Sequence, residues 1–557
     1  MNTKNFSLKR IGTLIANDLK RYWIMMVAEF VVVFGSSSST LLLDKAVDEF
    51  TIKEMITANS AGNGVIVMFW PFIMALLVFG YLHRVNEVTA MHSLPVSRKE
   101  HFAAHTTSGF LLCSLPVIAN GIILSLLARP TMIDGVNIFT VGAVAKCVLL
   151  MLLVGLVTYA FCVLAGMICG TGVMHVFGGI GLTVAIPLTL LVIDSNLELL
   201  VKGYCTPVWM EKAMEYFLPI ANLSEISAIK IVWFVILALI VLAVSFIAYK
   251  KRPLENATDA IVFKFLEPII VGFLTFIFAS GIGEYFRTFG GKYLLGLAIG
   301  VVIGFIAFTM ICQKTTRIFN FKNMRNGAIV VIVIGLFVAF ASFDIFGFEK
   351  MVPATKDIKN VEITSLWSTG QTENLESRRG WAYENKEPKF TDEESIKQIR
   401  ELHEKLIEKE IYEGDESSFS IGIKYETKSG TMMQREYQVS FDDIMKIDAF
   451  RTLYESKKFK NAWMLSNYKS TGTVNIKEVL FSSYDDEGAE ITVKDVDGLF
   501  KAMDEDYQNR SFKEEINGKD VGYIDIRTDN YNHEYYIINI YKSDTSTLNF
   551  LRENGIL

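Results

Sequence analysis

The apolar runs constrain this chain more than any other feature. Between Tyr22 and Ser342 about nine stretches are nearly free of charge: residues 22–43, 65–82, 107–127, 141–169, 173–193, 229–248, 262–280, 293–312 and 327–342. Runs of about 20 apolar residues match the ~30 Å hydrocarbon core of a bilayer, where a helix satisfies its own backbone hydrogen bonds. A 51% hydrophobic composition over 557 residues exceeds what a soluble chain of this length carries. The expected fold is a polytopic α-helical membrane protein. From about Lys350 the composition changes, as Asp, Glu and Lys return. Residues 350–557 therefore read as a separate C-terminal α+β domain.

Cations gather in alternate loops. One set holds Arg84, Arg98 and Lys99, the next Lys250, Lys251, Arg252 and Lys264, and the third Lys314, Arg317, Lys322 and Arg325. The positive-inside rule places these loops, and the N-terminus, in the cytoplasm. With an odd number of spans the C-terminal domain is extracytoplasmic. Residues 1–21 end in an amphipathic stretch, with Leu8, Ile11, Leu14 and Leu19 set against Lys9, Arg10, Lys20 and Arg21. It is expected to lie in the membrane interface as an elbow helix ahead of a membrane domain at 22–349. The run after Arg21 is long, carries Glu29 and lacks a small-residue cleavage site, so it reads as a retained first span.

A polar island at 83–105 interrupts the apolar pattern. Val85, Val88 and Met91 recur every three residues and define one apolar stripe on a short helix. Leu94-Pro95 stops that helix, because proline lacks the amide and restricts its predecessor. Ser97 and Glu100 have the spacing of a capping box that opens the next helix. The run His92-Ser93-Leu94-Pro95-Val96-Ser97-Arg98-Lys99-Glu100 resembles the loop between the second and third membrane helices of ABC-2-type permeases, the membrane subunits of bacterial ATP-binding-cassette exporters. The resemblance covers roughly the first half of the chain. It implies a coupling helix that docks on a separate ATPase subunit, with Val85, Val88, Met91, Leu94, Pro95, Arg98 and Lys99 at the joint. It implies that the elbow helix touches the same ATPase, which would bind ATP and Mg. It also implies a second permease copy or a related permease, and export of a hydrophobic peptide, drug or envelope lipid.

The chain itself is expected to bind no cofactor and not to be an enzyme. Gly290-Gly291-Lys292-Tyr293 comes nearest to a phosphate loop, and lacks both the upstream glycine and the hydroxyl. No His-Glu-x-x-His, Ser/Lys or paired-Asp set falls in the apolar runs. No basic patch with interleaved aromatics points to nucleic acid. Glu29 and Lys146 are ionisable groups inside apolar runs, read as a pair or as the lining of a polar path, with snorkelling the other reading for Lys146. Lys264 and Glu267 read as a helix-surface pair. Gly296, Gly300 and Gly304 make a smooth groove for close helix packing. His101 and His105 have the i,i+4 spacing of a metal-binding face, with no third ligand evident. The six cysteines show no zinc spacing, and Cys162 and Cys169, seven apart in an apolar run, read as small packing residues.

The tail reads as two copies of helix–hairpin–helix. The first has a capping box at Thr391 and Glu394, a helix with Ile396, Ile399, Leu402 and Leu406 on one face, alternating Phe419 to Tyr425, a turn at Lys428-Ser429-Gly430, and Tyr437, Val439 and Phe441 returning. The second has a helix with Leu499, Phe500 and Met503, then Ile524 and Ile526, a turn at Asp529-Asn530, and Tyr536, Ile538 and Ile540. His403 reads as solvated on a charged helix, and His533 as a turn residue. This tail leaves a second reading open: a membrane-anchored sensor or scaffold whose outer domain binds an envelope ligand or antimicrobial peptide without transport.

Overall fold

The computed structural model describes residues 7–43, 47, 49–56, 61–133, 136–218, 220, 227–253, 255–344, 347–368, 389–408, 418–467, 475–484, 490–528 and 535–557. The chain divides into two units, Met1–Asn196 with Val208–Phe337, and Leu197–Pro207 with Val338–Leu557.

The first unit is helical. Its elements are α1 (Leu8–Ser36), α2 (Ser38–Leu43), α3 (Glu49–Ile56), α4 (Ala61–Phe79), α5 (Val85–Ser93), α6 (Arg98–Leu126), α7 (Val141–Ile168), α8 (Gly172–Leu200), α9 (Val208–Phe217), α10 (Ala228–Lys251), α11 (Glu267–Thr288), α12 (Tyr293–Gln313) and α13 (Phe321–Ser342). A two-stranded ribbon, β1 (Met132–Ile133) with β2 (Val136–Asn137), joins α6 to α7. Among the described residues, eight helices are long and apolar enough to cross a membrane: Ile66–His83, which extends α4 by one tight turn, and α6, α7, α8, α10, α11, α12 and α13. The protein is membrane-embedded and multi-pass by that measure. Large aliphatic side chains stay uncovered on these helices, such as Leu239, Ile240, Val244 and Ile247 on α10. Lipid is the solvent such a face suits.

The ninth expected span differs. Residues 8–36 form one unbroken helix, so no boundary separates an elbow at 1–21 from a span beginning at Tyr22. No proline or glycine lies near Arg21 to interrupt the ladder of i→i−4 bonds. Lys20, Arg21 and Glu29 all fall within its last 18 residues and keep it outside the apolar set. The α1 helix packs along α6 and α4, while α7 packs against α4, α6 and α10.

Other expectations shift by local chemistry. The run at 262–280 becomes a helix only from Glu267, with Pro268 in the first turn where its missing amide costs nothing. Lys264 pairs with Asp259 at 2.8 Å, not with Glu267, whose carboxylate accepts from Gln313 Nε2 at 2.6 Å. Gly290-Gly291 forms the turn between α11 and α12, with Gly290 at φ 75°. The glycine stripe of α12 lies against α11. A Cβ at Gly300 would sit 2.6 Å from the Ala279 backbone, and one at Gly296 would sit 2.7 Å from the Ile282 carbonyl. Cys113, Cys147, Cys162, Cys169 and Cys312 are buried free thiols, and Cys205 is half-buried.

The second unit carries two antiparallel four-stranded sheets. The strands are β3 (Ile358–Ser368), β4 (Lys389–Phe390), β5 (Ser418–Thr427) and β6 (Met432–Ser440), then β7 (Ile476–Ser483), β8 (Glu490–Thr492), β9 (Asp520–Thr528) and β10 (Tyr535–Tyr541). The sheet orders are β4-β3-β5-β6 and β8-β7-β9-β10. Both expected hairpins are present, β5–β6 and β9–β10. The expectation of helix–hairpin–helix omitted the first member of each sheet. β3 and β7 precede the helix and pair with β5 and β9, and a short strand caps each edge. Phe441 begins a helix instead of ending a strand, because Ser440 caps it by accepting from the Asp443 amide. Asp392, not Thr391, caps helix Glu393–Ile407. Asp529-Asn530 and His533 lie outside the described residues.

His403 is the clearest reversal in this unit. It is fully buried (0% exposed) on the sheet side of helix Glu393–Ile407. Nδ1 lies 3.2 Å from the Tyr425 hydroxyl and Nε2 lies 2.8 Å from that of Tyr437. A neutral imidazole fits here, since one ring nitrogen donates and the other accepts. Burial, helped by Arg435 and Arg400, pushes its pKa down to about 3. Because the folded value lies below the free one of about 6.5, the stabilisation is complete above pH 6.5. It is lost as the unfolded chain takes up the proton on acidification. Between pH 6.5 and 5 the C-terminal unit is expected to lose about 2 kcal/mol of stability through this residue. Urea unfolding of wild type and His403→Gln across that window checks it; equal slopes for the two would remove the assignment.

The segment after α8 is part of this unit. Gly203 has φ 71°, and a Cβ there would sit 2.8 Å from the Tyr437 ring, so glycine is required twice over. Its carbonyl accepts from the Glu436 amide, and the Lys202 amide donates to Glu349 at 2.9 Å. Arg435 stacks on Phe348 at 3.6 Å and donates to its carbonyl, which ties the chain after α13 to β6.

Candidate functional site

The polar island folds into α5, a bend at Leu94-Pro95, and the first turns of α6. The capping box forms as spaced: Ser97 Oγ accepts from the Glu100 amide, and Glu100 accepts from the Ser97 amide at 2.8 Å. The other Glu100 oxygen accepts from the Ser7 amide at 2.8 Å and from Arg10 Nε and Nη2 at 3.0 and 2.7 Å. A buried carboxylate with this many donors is a firm joint. It fastens the start of α1 to the start of α6.

The stripe on α5 splits. Val88 is buried and Met91 is half-buried, whereas Val85 is 51% exposed. Beyond the helix Leu94 is 40% exposed, and Pro95 and Lys99 are exposed. The outward face carries Asn86, Ala90 and Ser93, with Val85 at one end and Leu94 at the other. Arg98 is engaged within the chain. Its guanidinium donates to the Lys250 carbonyl at 2.9 Å and caps the end of α10. Arg252 does the same for α7, donating to the carbonyls of Gly166, Met167, Cys169 and Leu82. A cation at a helix C-terminus satisfies orphan carbonyls and opposes the helix dipole. Two of the loop arginines therefore lock helix ends together.

Beneath α5 lies a cluster that the sequence reading did not assemble. Five of the seven histidines are in it: His83, His92, His101, His105 and His175. His105 Nδ1 is 2.7 Å from Asp18 of α1, which also accepts from Ser108 Oγ at 2.6 Å. The rings of His105 and His101 stack at 5.8 Å, and His92 follows at 6.0 Å. Tyr81 and Tyr249 close the group, with hydroxyls 3.1 Å apart. To one side, His175 Nε2 donates to the Cys162 carbonyl at 2.8 Å, so its Nδ1 accepts from His83 Nε2 at 2.9 Å. His92 links α5 to this cluster, and burial pushes its pKa down, with Arg98 adding to the effect. Among the described residues no three of His, Cys, Asp or Glu are grouped to hold a metal ion. The available signal was density: four histidines between residues 83 and 105.

The two ionisable groups of the apolar runs separate. Lys146 is exposed near the start of α7, while Glu29 is 1% exposed between α1, α4, α6 and α7. They form no pair.

Neither a family model, nor a curated protein, nor a solved structure matches the chain. The geometry of the site therefore carries the functional argument.

Proposed function

We propose that the chain is the membrane permease subunit of an ATP-binding-cassette exporter, worked by a separate ATPase that docks on the 83–105 segment. The observation that carries this reading is the build of α5. It is a short helix standing between two membrane-length helices, fastened on its inner side by Val88 and His92, with an uncovered outer face edged by Val85 and Leu94. A push on that face reaches α6 through the bend, α10 through Arg98, and α1 through Glu100 and Arg10. This is what a joint needs: an exposed contact on rigid, cross-braced supports.

Among the described residues seven membrane-length helices separate α5 from the C-terminal sheets, and the cation-rich segments 250–264 and 314–325 lie an even number of those helices from α5. An odd number with that bias supports a cytoplasmic α5 and an extracytoplasmic C-terminal unit. The identical strand order of the two sheets supports a duplicated unit that receives or releases the cargo. That cargo would be a hydrophobic peptide, drug or envelope lipid. ATP and Mg belong to the ATPase, and a second permease copy or related permease completes the assembly.

The test is a mild-detergent pull-down of the tagged chain from its host, followed by an ATPase assay on the eluate. A stoichiometric ATPase with nucleotide-dependent activity is expected. Its absence would replace the transporter by the sensor or scaffold, with α5 reduced to a topological loop.

A further inference from the structure

The strongest uncommitted group in the membrane unit is Glu29. Its carboxylate oxygen Oε2 is buried and has no hydrogen-bond partner. It lines a small cavity with Val67 of α4, Phe110, Cys113, Ser114 and Val117 of α6, and Met151, Leu152 and Gly155 of α7. Both sets fall at mid-length of their helices, since α6 runs from 98 to 126 and α7 from 141 to 168. If these helices cross the bilayer, the carboxyl sits near its middle.

We propose that Glu29 is a proton-binding site: its carboxyl takes up and releases one proton in the narrow space between α1, α4, α6 and α7. Three observations select the proton over other cations. The cavity has room for about one water molecule, which excludes an organic ammonium group. Its other polar lining is one serine and one cysteine, far short of the six or more oxygens that calcium requires, or the octahedral set of magnesium. Among the described residues the titratable group facing it is Cys113 of α6, while α4 and α7 present Val67, Met151, Leu152 and Gly155. Among the described residues no basic side chain stands by to pair with an ionised carboxylate, and an unpaired charge at that depth is the costliest state available. The neutral acid is therefore the state of this packing. The step balances simply: one carboxylate oxygen gains one proton and loses one negative charge.

The consequence is a linkage. Any rearrangement that draws α1 away from α6 and α7 admits water and lets the proton leave. By reciprocity, ionising Glu29 favours that opened packing. The inference stands on α1, α4, α6 and α7 alone and holds whether the chain transports or senses.

The experiment is infrared difference spectroscopy of the full chain in lipid nanodiscs, wild type minus Glu29→Gln, at pH 7. A carbonyl band of a protonated carboxylic acid, present in wild type and absent in the variant, is expected. A carboxylate doublet in its place would overturn the proposal. Should the glutamine chain not be recovered, Glu29→Asp serves: the acid band then shifts instead of vanishing, and no band in either chain would be equally fatal. As a second reading, an apolar carbodiimide should add to Glu29 at neutral pH, its central carbon bonding the carboxyl oxygen as the acid proton moves to nitrogen. An adduct formed only in the acid range of exposed carboxylates would refute the site.

Discussion

If α5 is the proposed docking helix, a chain carrying V85D and L94D is expected to fold, insert and lose co-purification of an ATPase. Both side chains are exposed over 40–51% of their surface and make no hydrogen bond that the fold depends on, so placing charge there leaves the packing alone. An apolar anchor in a docking face is another matter. Burying a carboxylate against a partner's apolar pocket removes hot-spot energy of about 2–4 kcal/mol, a loss of roughly 30- to 1000-fold in affinity. Co-purification of the proposed ATPase should fall accordingly, while expression and the elution profile of this chain stay unchanged. Undiminished recovery of the ATPase would show that α5 is not the contact. Arg98 is the wrong residue for this test. Its guanidinium caps α10, so removing it disturbs the fold and the joint together.

The largest stability effect is expected at Arg510. Its two terminal nitrogens donate to Glu515 at 2.7 Å and Asp544 at 2.6 Å, all three side chains being buried. The guanidinium also lies 4.3 Å over the Tyr541 ring, and Asp544 accepts from the Tyr541 amide at 2.8 Å. Burial works against the charge of Arg510, and the two carboxylates outweigh it, holding the group well above the ordinary arginine value. Arg510→Met keeps the volume and strands two buried carboxylates. Breaking a buried ionic set from one side costs about 3–5 kcal/mol. Hydrogen exchange of the β9 and β10 amides should then accelerate by about two to three orders of magnitude. Adding Glu515→Gln, which removes one of the stranded charges, should recover part of the loss. A change of under tenfold in R510M would mean the site is solvated in the folded protein.

Most of the elements were legible in the chain, for a reason particular residues show. Periodicity states which face of an element leaves water. Ile396, Ile399, Leu402 and Leu406 recur at helical spacing and are buried as one face, and Phe419, Ile421 and Ile423 alternate and are buried as one side of β5. The Ser97–Glu100 box formed because both partners are three residues apart and need no other element. β3 was missed. Its sequence, from Ile358 to Ser368, mixes charge into the alternation, and Glu362 sits buried within it, held by Lys389 and Lys424. Such a strand reads as polar until its neighbours are known. His403 failed in the same way, since its flanking charges describe the solvent side of the helix and not its own side.

The sequence by itself determined the membrane class, the apolar helices, the break and capping box of the 83–105 segment, and the two hairpins. These follow from local sterics, backbone hydrogen bonding and the hydrophobic period. Only the tertiary structure decided the partners of the polar groups. Glu100 meets Arg10 from 90 residues away, Asp18 meets His105 from 87, and Arg98 meets the end of α10 from 152. Glu29 meets no one. A polar side chain inside an apolar element must be paired or neutral, because the interior does not solvate it. Which of the two it becomes depends on what the fold brings alongside, and no spacing within one helix records that.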